Sequence, residues 1–395
     1  MVIKLDSVQP VFPSLSPKEI VDTDDDQPKD GVPTDIPKVG ALDIPELIFG
    51  AASFSYQYNG DEYLTSTIPV RTVRLALRYG ITAFDTSAYY GPSEIVLGSA
   101  LQALESEFPR SSYQLMTKCG RYGSAATDFD YSPQTIRASI NRSLARLHTS
   151  YLDTVYLHDI EFVCAAVQPR AAGNHGLALT TESIQYGLHY GDETKIWGAG
   201  DQVILDAIAE LRSLKKDGII KNIGITGYPL PALLRIAILV AHTPPYEPLD
   251  VVLSYSHLNL QNDTLPAFLP RFRERAAVSQ VVTASPINMG LLTASPPKWH
   301  PAPPEVRTAS AKAHAICQEK SWAGGLPNIA LGFAYRKAHE LGLPTVVGLG
   351  QLREVHDTIR VWRDSTEPND GKRQECEKEV LAAFNHVQGF SWASP

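Results

Sequence analysis

Residues 70–100 read VRTVRLALRYGITAFDTSAYYGPSEIVLGSA. Apolar side chains recur three and four positions apart as far as Gly80, the short apolar run ITAF leads into Asp85, and helical spacing returns after Gly91 and Pro92. The stretch reads as one strand between two helices, and the strand ends on an ionisable carboxylate. The same alternation extends in both directions. It predicts eight strands, IPELIFGAA (44–52), ITAFDTSA (81–88), YQLMTKCG (113–120), DTVYLHD (153–159), IKNIGITG (220–227), DVVLSYSH (250–257), QVVTASP (280–286) and PTVVGLG (344–350). Between them lie helical segments such as SPQTIRASINRSLARLH and PNIALGFAYRKAHELG, several closed by glycine or lysine. Strand followed by helix, eight times over, predicts a parallel (β/α)8 barrel of the TIM type. The competing doubly wound sheet would call for a GxGxxG after the first strand, and none stands there.

Outside the alternation, residues 1–41 carry six prolines and the acidic run Asp24, Asp25, Asp26. They read as a flexible extension too polar and broken to pack, with the barrel spanning 42–395. One connection is far too long for a barrel: about forty residues separate His158 from the helix near Asp201, where a βα loop normally takes ~2–6. This insertion, about 160–200, is expected to fold over a pocket with Tyr186, His189, Tyr190 and Trp197.

The charge balance of −8, with no basic run, argues against nucleic acid and anionic membranes as partners. No apolar window approaches the roughly 18 residues of a membrane span, and MVIKLDSVQPVFPS lacks the apolar centre of a signal peptide, so a cytoplasmic protein is expected. Cys119, Cys164, Cys317 and Cys376 lie far apart without zinc-type spacing, which predicts reduced thiols and no metal.

A barrel of this kind places its chemistry at the C-terminal ends of its strands. Asp85 ends the second strand with Tyr90 five residues on, Lys118 ends the third, and His158 ends the fourth. Each alone has a plain structural explanation, but together they make a proton-transfer set. An ammonium beside a phenol favours phenolate, so Lys118 is expected to lower the Tyr90 pKa, while Asp85 holds the lysine and His158 orients a substrate oxygen. Such a set moves a proton to or from a carbonyl or alcohol. It has no hydride to give, so a redox cofactor is implied.

FDTSAYYG, MTK and SLARLHTSYLDTVYLHD together resemble the aldo-keto reductases, a family of NAD(P)(H)-dependent oxidoreductases on a (β/α)8 barrel. The resemblance runs from about residue 42 onward and fills all four catalytic positions with Asp85, Tyr90, Lys118 and His158. In the family the tyrosine stands immediately before the glycine, which favours Tyr90 over Tyr89. Within the family, AFDTSAYYGPSEIVLG, YLHDIEFV and DVVLSYSHLNLQND are similar to the D-arabinose and L-galactose 1-dehydrogenase group, its fungal members in particular. That likeness implies oxidation of an aldose (D-arabinose, L-galactose or L-fucose type) at C1 to the lactone. It puts Tyr89, His158 and Trp197 against the sugar.

For the cofactor the resemblance implies Ala51 after the first strand, Thr226 and Gly227 in IGITG, Ser254 where many relatives carry glutamine, and Ser285, Pro286 and Ile287 in SPINMGLL. It also implies Gly348, Gly350, Gln351, Glu354 and Thr358 around the adenosine. Gly348 and Gly350 would let backbone approach phosphate, and the helix that follows would offer its first amides. Glu354 would repel a 2′-phosphate, so NAD is expected ahead of NADP. Three alternatives remain at this point: an NADPH-dependent carbonyl, aldehyde or pyridoxal reductase, a cofactor-binding accessory subunit, and a Schiff-base aldolase built on Lys118.

Overall fold

The computed structural model describes residues 9–12, 17–29, 35–366 and 371–394. Eight parallel strands, β1 (Leu47–Gly50), β2 (Ala83–Asp85), β3 (Gln114–Cys119), β4 (Leu152–Leu157), β5 (Ile220–Gly227), β6 (Val251–Tyr255), β7 (Gln280–Ala284) and β8 (Thr345–Gly348), follow one another in chain order around a closed barrel. All eight expected strands are present, and the protein is a (β/α)8 TIM barrel. The strands read as nearly continuous apolar runs because both faces are covered: β1, β2 and β4 are buried along their whole length.

Helices α1 (Ile68–Arg78), α2 (Ser93–Ala103), α3 (Pro133–Arg146), α4 (Ala199–Lys216), α5 (Leu230–His242), α6 (Leu265–Glu274), α7 (Gly325–Leu341) and α8 (Leu352–Thr366) alternate with the strands. Two further helices, Pro304–Glu319 and Gly371–Phe384, pack together in one apolar cluster with Val306, Ala313 and Phe384. Local sequence sets the ends: proline takes the first helical position in α3, where a missing N–H costs nothing, and Gly342 closes α7 in the left-handed conformation. No helix among the described residues is long and apolar enough to cross a membrane.

The chain divides into two compact units. The first runs to Cys164 and takes in Gly198–Thr226 and Val346–Asp357; the second comprises Ala165–Trp197, Gly227–Thr345 and the chain from Thr358. Within the first, strand register fixes the site to come. Asp85 pairs with Met116, and Lys118 lies two residues beyond Met116. Positions two apart on a strand point to the same face, so the carboxylate and the ammonium share a side of the sheet in neighbouring layers.

The acidic run of the N-terminal extension, too polar to pack as a sequence, sends one member inside. Asp26 is fully buried and meets Arg71 at 2.8 Å and Arg74 at 3.0 Å, and Thr23 donates to it. Arginines on the first turns of α1 supply the countercharge that makes this burial tolerable. The expectations for residues 1–8, 13–16 and 30–34 lie outside the described residues. In the second unit, part of the long insertion forms a short strand, Gly173–Asn174, paired antiparallel with Phe390–Ser391.

Gly98 on α2 lies tight against the end of α3: a Cβ there would lie 2.0 Å from the Arg146 carbonyl oxygen and 2.7 Å from the Leu147 Cα. Both obstacles are backbone and cannot rotate away. Gly98→Ala is therefore expected to destabilise the protein by at least the ~1–3 kcal/mol of ordinary overpacking. A thermal melt indistinguishable from wild type would contradict this close approach.

Candidate active site

The end of β3 delivers Lys118 into a buried position. Its Nζ donates to Asp85 Oδ1 at 2.5 Å, to the Thr86 carbonyl at 3.0 Å and to the Tyr90 hydroxyl at 3.3 Å. Three acceptors for three N–H bonds leave the ammonium fully satisfied. Tyr90 reaches it because the chain turns sharply after β2, with the Tyr90 amide donating to the Ser87 carbonyl and Gly91 at φ +58° leading into α2. The Ser93 hydroxyl then ties the start of α2 to the Ala51 carbonyl at 2.6 Å. His158 follows β4, its amide donating to the Cys119 carbonyl and its own carbonyl accepting from Tyr131. The His158 ring stands edge-on to Tyr90 with centroids 5.6 Å apart. All four expected catalytic positions thus come together within the first unit.

Burial changes the electrostatics from what the sequence implies. It pushes the Tyr90 phenol up to about 12, and Lys118, pulling the other way, does not overcome it. The expected lowering of Tyr90 is therefore overturned, because the phenolate loses more in leaving water than it gains from one ammonium already shared with Asp85. Burial would lower Lys118, but Asp85 and Tyr90 outweigh it and hold the ammonium above its usual range. Burial also takes His158 well below its usual 6.5, and Lys118 and Arg121 add to that. The ring is neutral.

Ser87 meets the His158 ring at Nδ1. Its hydroxyl accepts the Tyr89 amide at 3.1 Å and lies 2.9 Å from His158 Nδ1. The hydroxyl keeps its own proton and a second lone pair for Nδ1; with the hydroxyl as donor, the hydrogen of His158 sits on Nε2. That nitrogen is 3.5 Å from Asp159 Oδ2, too far for a good hydrogen bond, and remains free to donate elsewhere. Asp159 is ion-paired with Arg121, whose guanidinium lies over the Tyr89 ring at 4.1 Å. Ser87, Arg121 and Asp159 are absent from the residues singled out in the sequence. Only the position of Asp159, directly after His158, was a visible signal.

The residues expected at the cofactor divide between the units. In the first, Thr226 is buried at the end of β5, and Gly348 ends β8 with nothing of the chain within 4 Å of where a Cβ would be. The next turn is braced: Ser53 donates to the Leu349 carbonyl at 2.6 Å and Tyr63 to the Gly350 carbonyl. The amides of Gly350 and Gln351, expected to face a phosphate, instead converge on Glu354 Oε2 at 2.6 and 3.1 Å. In the second unit, which also contains Gly227, the buried Ser254 hydroxyl contacts His257 Nδ1 at 3.3 Å. There Ser285 holds a left-handed backbone (φ +58°) ahead of Pro286 and Ile287, and Thr358 is buried. Trp197 also belongs to this unit, with the Lys195 ammonium 3.5 Å from its ring centre. Tyr186 is buried against His175, and the exposed Tyr190 carries the Arg275 guanidinium 4.1 Å from its ring centre.

The model of the Aldo/keto reductase family matches residues 46–371. The chain is 36% identical over 324 residues to a D-arabinose 1-dehydrogenase of Saccharomyces cerevisiae, covering 80% of this chain and 84% of that one. It is 35% identical over 328 residues to an L-galactose dehydrogenase of Arabidopsis thaliana, with 82% and 86% covered. Among solved structures, an aldo-keto reductase from Bacillus halodurans in its holo form superimposes with a TM-score of 0.56 over 88% of this chain and 96% of its own. At 20% identity that likeness is one of fold.

The histidine assignment is open to direct measurement. Nitrogen NMR of the folded protein at pH 6 should find His158 neutral and protonated on Nε2, with Ser87→Ala mixing the two tautomers. Because the folded ring titrates below the unfolded value of 6.5, the unfolded chain binds the proton first, and this contribution to stability is lost as pH falls below about 6.5. A ring titrating near 6.5 in the folded protein would contradict the assignment.

Proposed function

The chain belongs to the aldo/keto reductase family, and from that premise we propose that it oxidises a cyclic aldose of the D-arabinose, L-galactose or L-fucose type at C1 to the lactone, with NAD as cofactor. The observation that carries the chemistry is the Lys118 ammonium within reach of both Asp85 and Tyr90, with the neutral His158 ring beside the phenol. The sugar class is supported by the names of the two relatives that share more than a third of their aligned residues with this chain.

In this reading Tyr90 takes the proton of the C1 hydroxyl, and His158 Nε2–H donates to the same oxygen and orients it. Lys118 stabilises the negative charge that the phenol oxygen carries until it takes that proton, and Asp85 keeps the ammonium in place. A bound nicotinamide dinucleotide supplies the acceptor for the C1 hydride, which no side chain here can be. The fully paired ammonium weighs against a Schiff base on Lys118, since it has no lone pair to offer. The Lys118 ammonium reaches the Tyr90 hydroxyl, whereas the Tyr89 hydroxyl lies beside Arg121 Nη2 at 3.4 Å, which supports Tyr90 as the acceptor coupled to Lys118 and Asp85.

The high position of Tyr90 favours a second reading as well. At neutral pH the phenol is protonated, the form that donates to a carbonyl, so reduction of an aldehyde by the same residues gains at neutral pH while sugar oxidation gains as pH rises.

The turn after β8 fits the adenosine end of a dinucleotide with a free 2′-hydroxyl. Two backbone amides already hold one anionic oxygen there, that of Glu354, whose other oxygen is suited to accept from a ribose hydroxyl. A 2′-phosphate would meet a like charge. Thr226, Gly227, Ser285, Pro286 and Ile287 are assigned to the nicotinamide end from the family pattern, with Ala51, Gly348, Gly350 and Gln351 along the dinucleotide.

Tyr90→Phe should lower kcat for aldose oxidation by at least ~10²-fold with cofactor binding retained, the scale of lost acid-base catalysis. Near-normal turnover in that variant, with loss in Tyr89→Phe, would reverse the assignment. Glu354→Gln should shift the NAD to NADP preference in kcat/KM toward NADP by about tenfold, the effect of relieving roughly 1.4 kcal/mol of charge repulsion. An unchanged ratio would remove Glu354 from cofactor choice.

A further inference from the structure

Residues 21–29 of the N-terminal extension lie ahead of residue 46, where the family match begins, and form a strap held to α1 by arginines. Arg71, Arg74 and Arg78 recur three and four positions apart and so line one face of that helix. Arg71 and Arg74 take the buried Asp26, Arg74 also donates to the Val21 carbonyl, and Arg78 donates to Asp22 at 2.8 Å and to the Asp26 carbonyl at 3.0 Å. The proton-transfer chemistry uses none of these contacts. The strap does reach α8, the helix that follows the candidate adenosine turn.

The contact is made at His356. Its Nε2 lies 3.0 Å from the Asp25 carbonyl, and a carbonyl only accepts, so Nε2 carries a hydrogen and donates to the strap. Its Nδ1 meets the Tyr79 hydroxyl at 2.8 Å just past the end of α1, and the same hydroxyl accepts the Lys29 amide at 2.8 Å. Strap, α1 and α8 share one junction within the first unit. His356 stands two residues after Glu354, whose carboxylate gathers the Gly350 and Gln351 amides. The turn is thus held twice: Ser53 and Tyr63 take its carbonyls, and the strap takes the helix that continues it.

We propose that the strap, through His356, positions the first turn of α8 for the adenosine end of the dinucleotide, which makes His356 a positioning residue for cofactor binding. The inference rests on the reading of the turn after β8 as the adenosine site and adds to it an element outside the matched family residues. A turn already held in place loses less freedom when its ligand arrives, and so binds more tightly. Asp85, Tyr90, Lys118 and His158 take no part in the junction, so sugar binding and proton transfer are not expected to depend on it.

The test titrates the full-length protein with NAD and with NADP by calorimetry. His356→Ala should raise the Kd of whichever dinucleotide the wild type binds by about tenfold, the scale of the hydrogen bonds lost. In the cofactor-free protein the same variant should quicken hydrogen exchange over residues 349–357. His356→Gln should recover affinity, since its amide can again donate to the Asp25 carbonyl. Asp26→Asn, which loosens the strap on α1, should weaken dinucleotide binding in the same sense, with KM for the sugar at saturating cofactor unchanged in every variant. A lower melting temperature with an unchanged Kd in His356→Ala would reduce the residue to a structural tie and overturn the proposal. Loss in His356→Ala with none in Asp26→Asn would leave the strap without a part and overturn it too. Should His356→Ala not fold, Tyr79→Phe, which keeps the ring and removes the shared hydroxyl, is read in the same way. A wild type that binds neither dinucleotide would instead overturn the cofactor reading, and the strap assignment with it.

Discussion

The ion pair between Lys118 and Asp85, 2.5 Å long with side chains 3% and 5% exposed, is the constraint on which the candidate site depends. Burying two charges is tolerable only when each finds its partners, and removing one partner of such a pair typically costs ~3–5 kcal/mol. Here the chain meets the requirement with the register of β2 and β3, which puts both side chains on one face, and with the turn that brings the Thr86 carbonyl and the Tyr90 hydroxyl to the same ammonium. The catalytic geometry and the satisfaction of the buried charge are one arrangement. Tyr90 is placed by the need of Lys118 for a third acceptor as much as by the turn that carries it.

The surroundings then decide how each group behaves. Burial keeps His158 neutral, and the Ser87 hydroxyl meets its Nδ1. Burial also keeps the proton on Tyr90. In the proposed reaction the Tyr90 hydroxyl and the neutral His158 ring would meet the substrate oxygen, with one cation behind the phenol.

Much of this is legible in the sequence, for physical reasons. The eight strands announce themselves because a parallel sheet buried on both faces demands apolar, β-branched runs such as QVVTA. The clustering of Asp85, Tyr90, Lys118 and His158 is legible because a barrel exposes strand ends, so a polar residue closing an apolar run stands out. Ser87, Arg121 and Asp159 are not, since a serine in a turn, an arginine after a glycine and an aspartate opening a loop are common everywhere, and only the fold shows that they share one cluster. The direction of the Tyr90 shift was illegible for a related reason: sequence shows the neighbouring lysine but not how little water reaches either residue. The turn after β8 reads correctly as a place where amides converge, but not that Glu354 of the same turn takes them. Asp26 shows the same limit from the other side. An acidic run looks solvated until Arg71 and Arg74 are found beneath it.

The proposal that this site removes a hydride from C1 of a sugar while Tyr90 removes the hydroxyl proton meets its most direct test in label transfer. Purified protein would be incubated with D-arabinose or L-galactose bearing deuterium at C1, together with NAD, and the reduced cofactor and the sugar product analysed by mass spectrometry. One deuterium should appear in the NADH and a lactone in the product. Formation of NADH without deuterium, or no NADH from either sugar while aldehydes are reduced by NADPH, would contradict oxidation at C1.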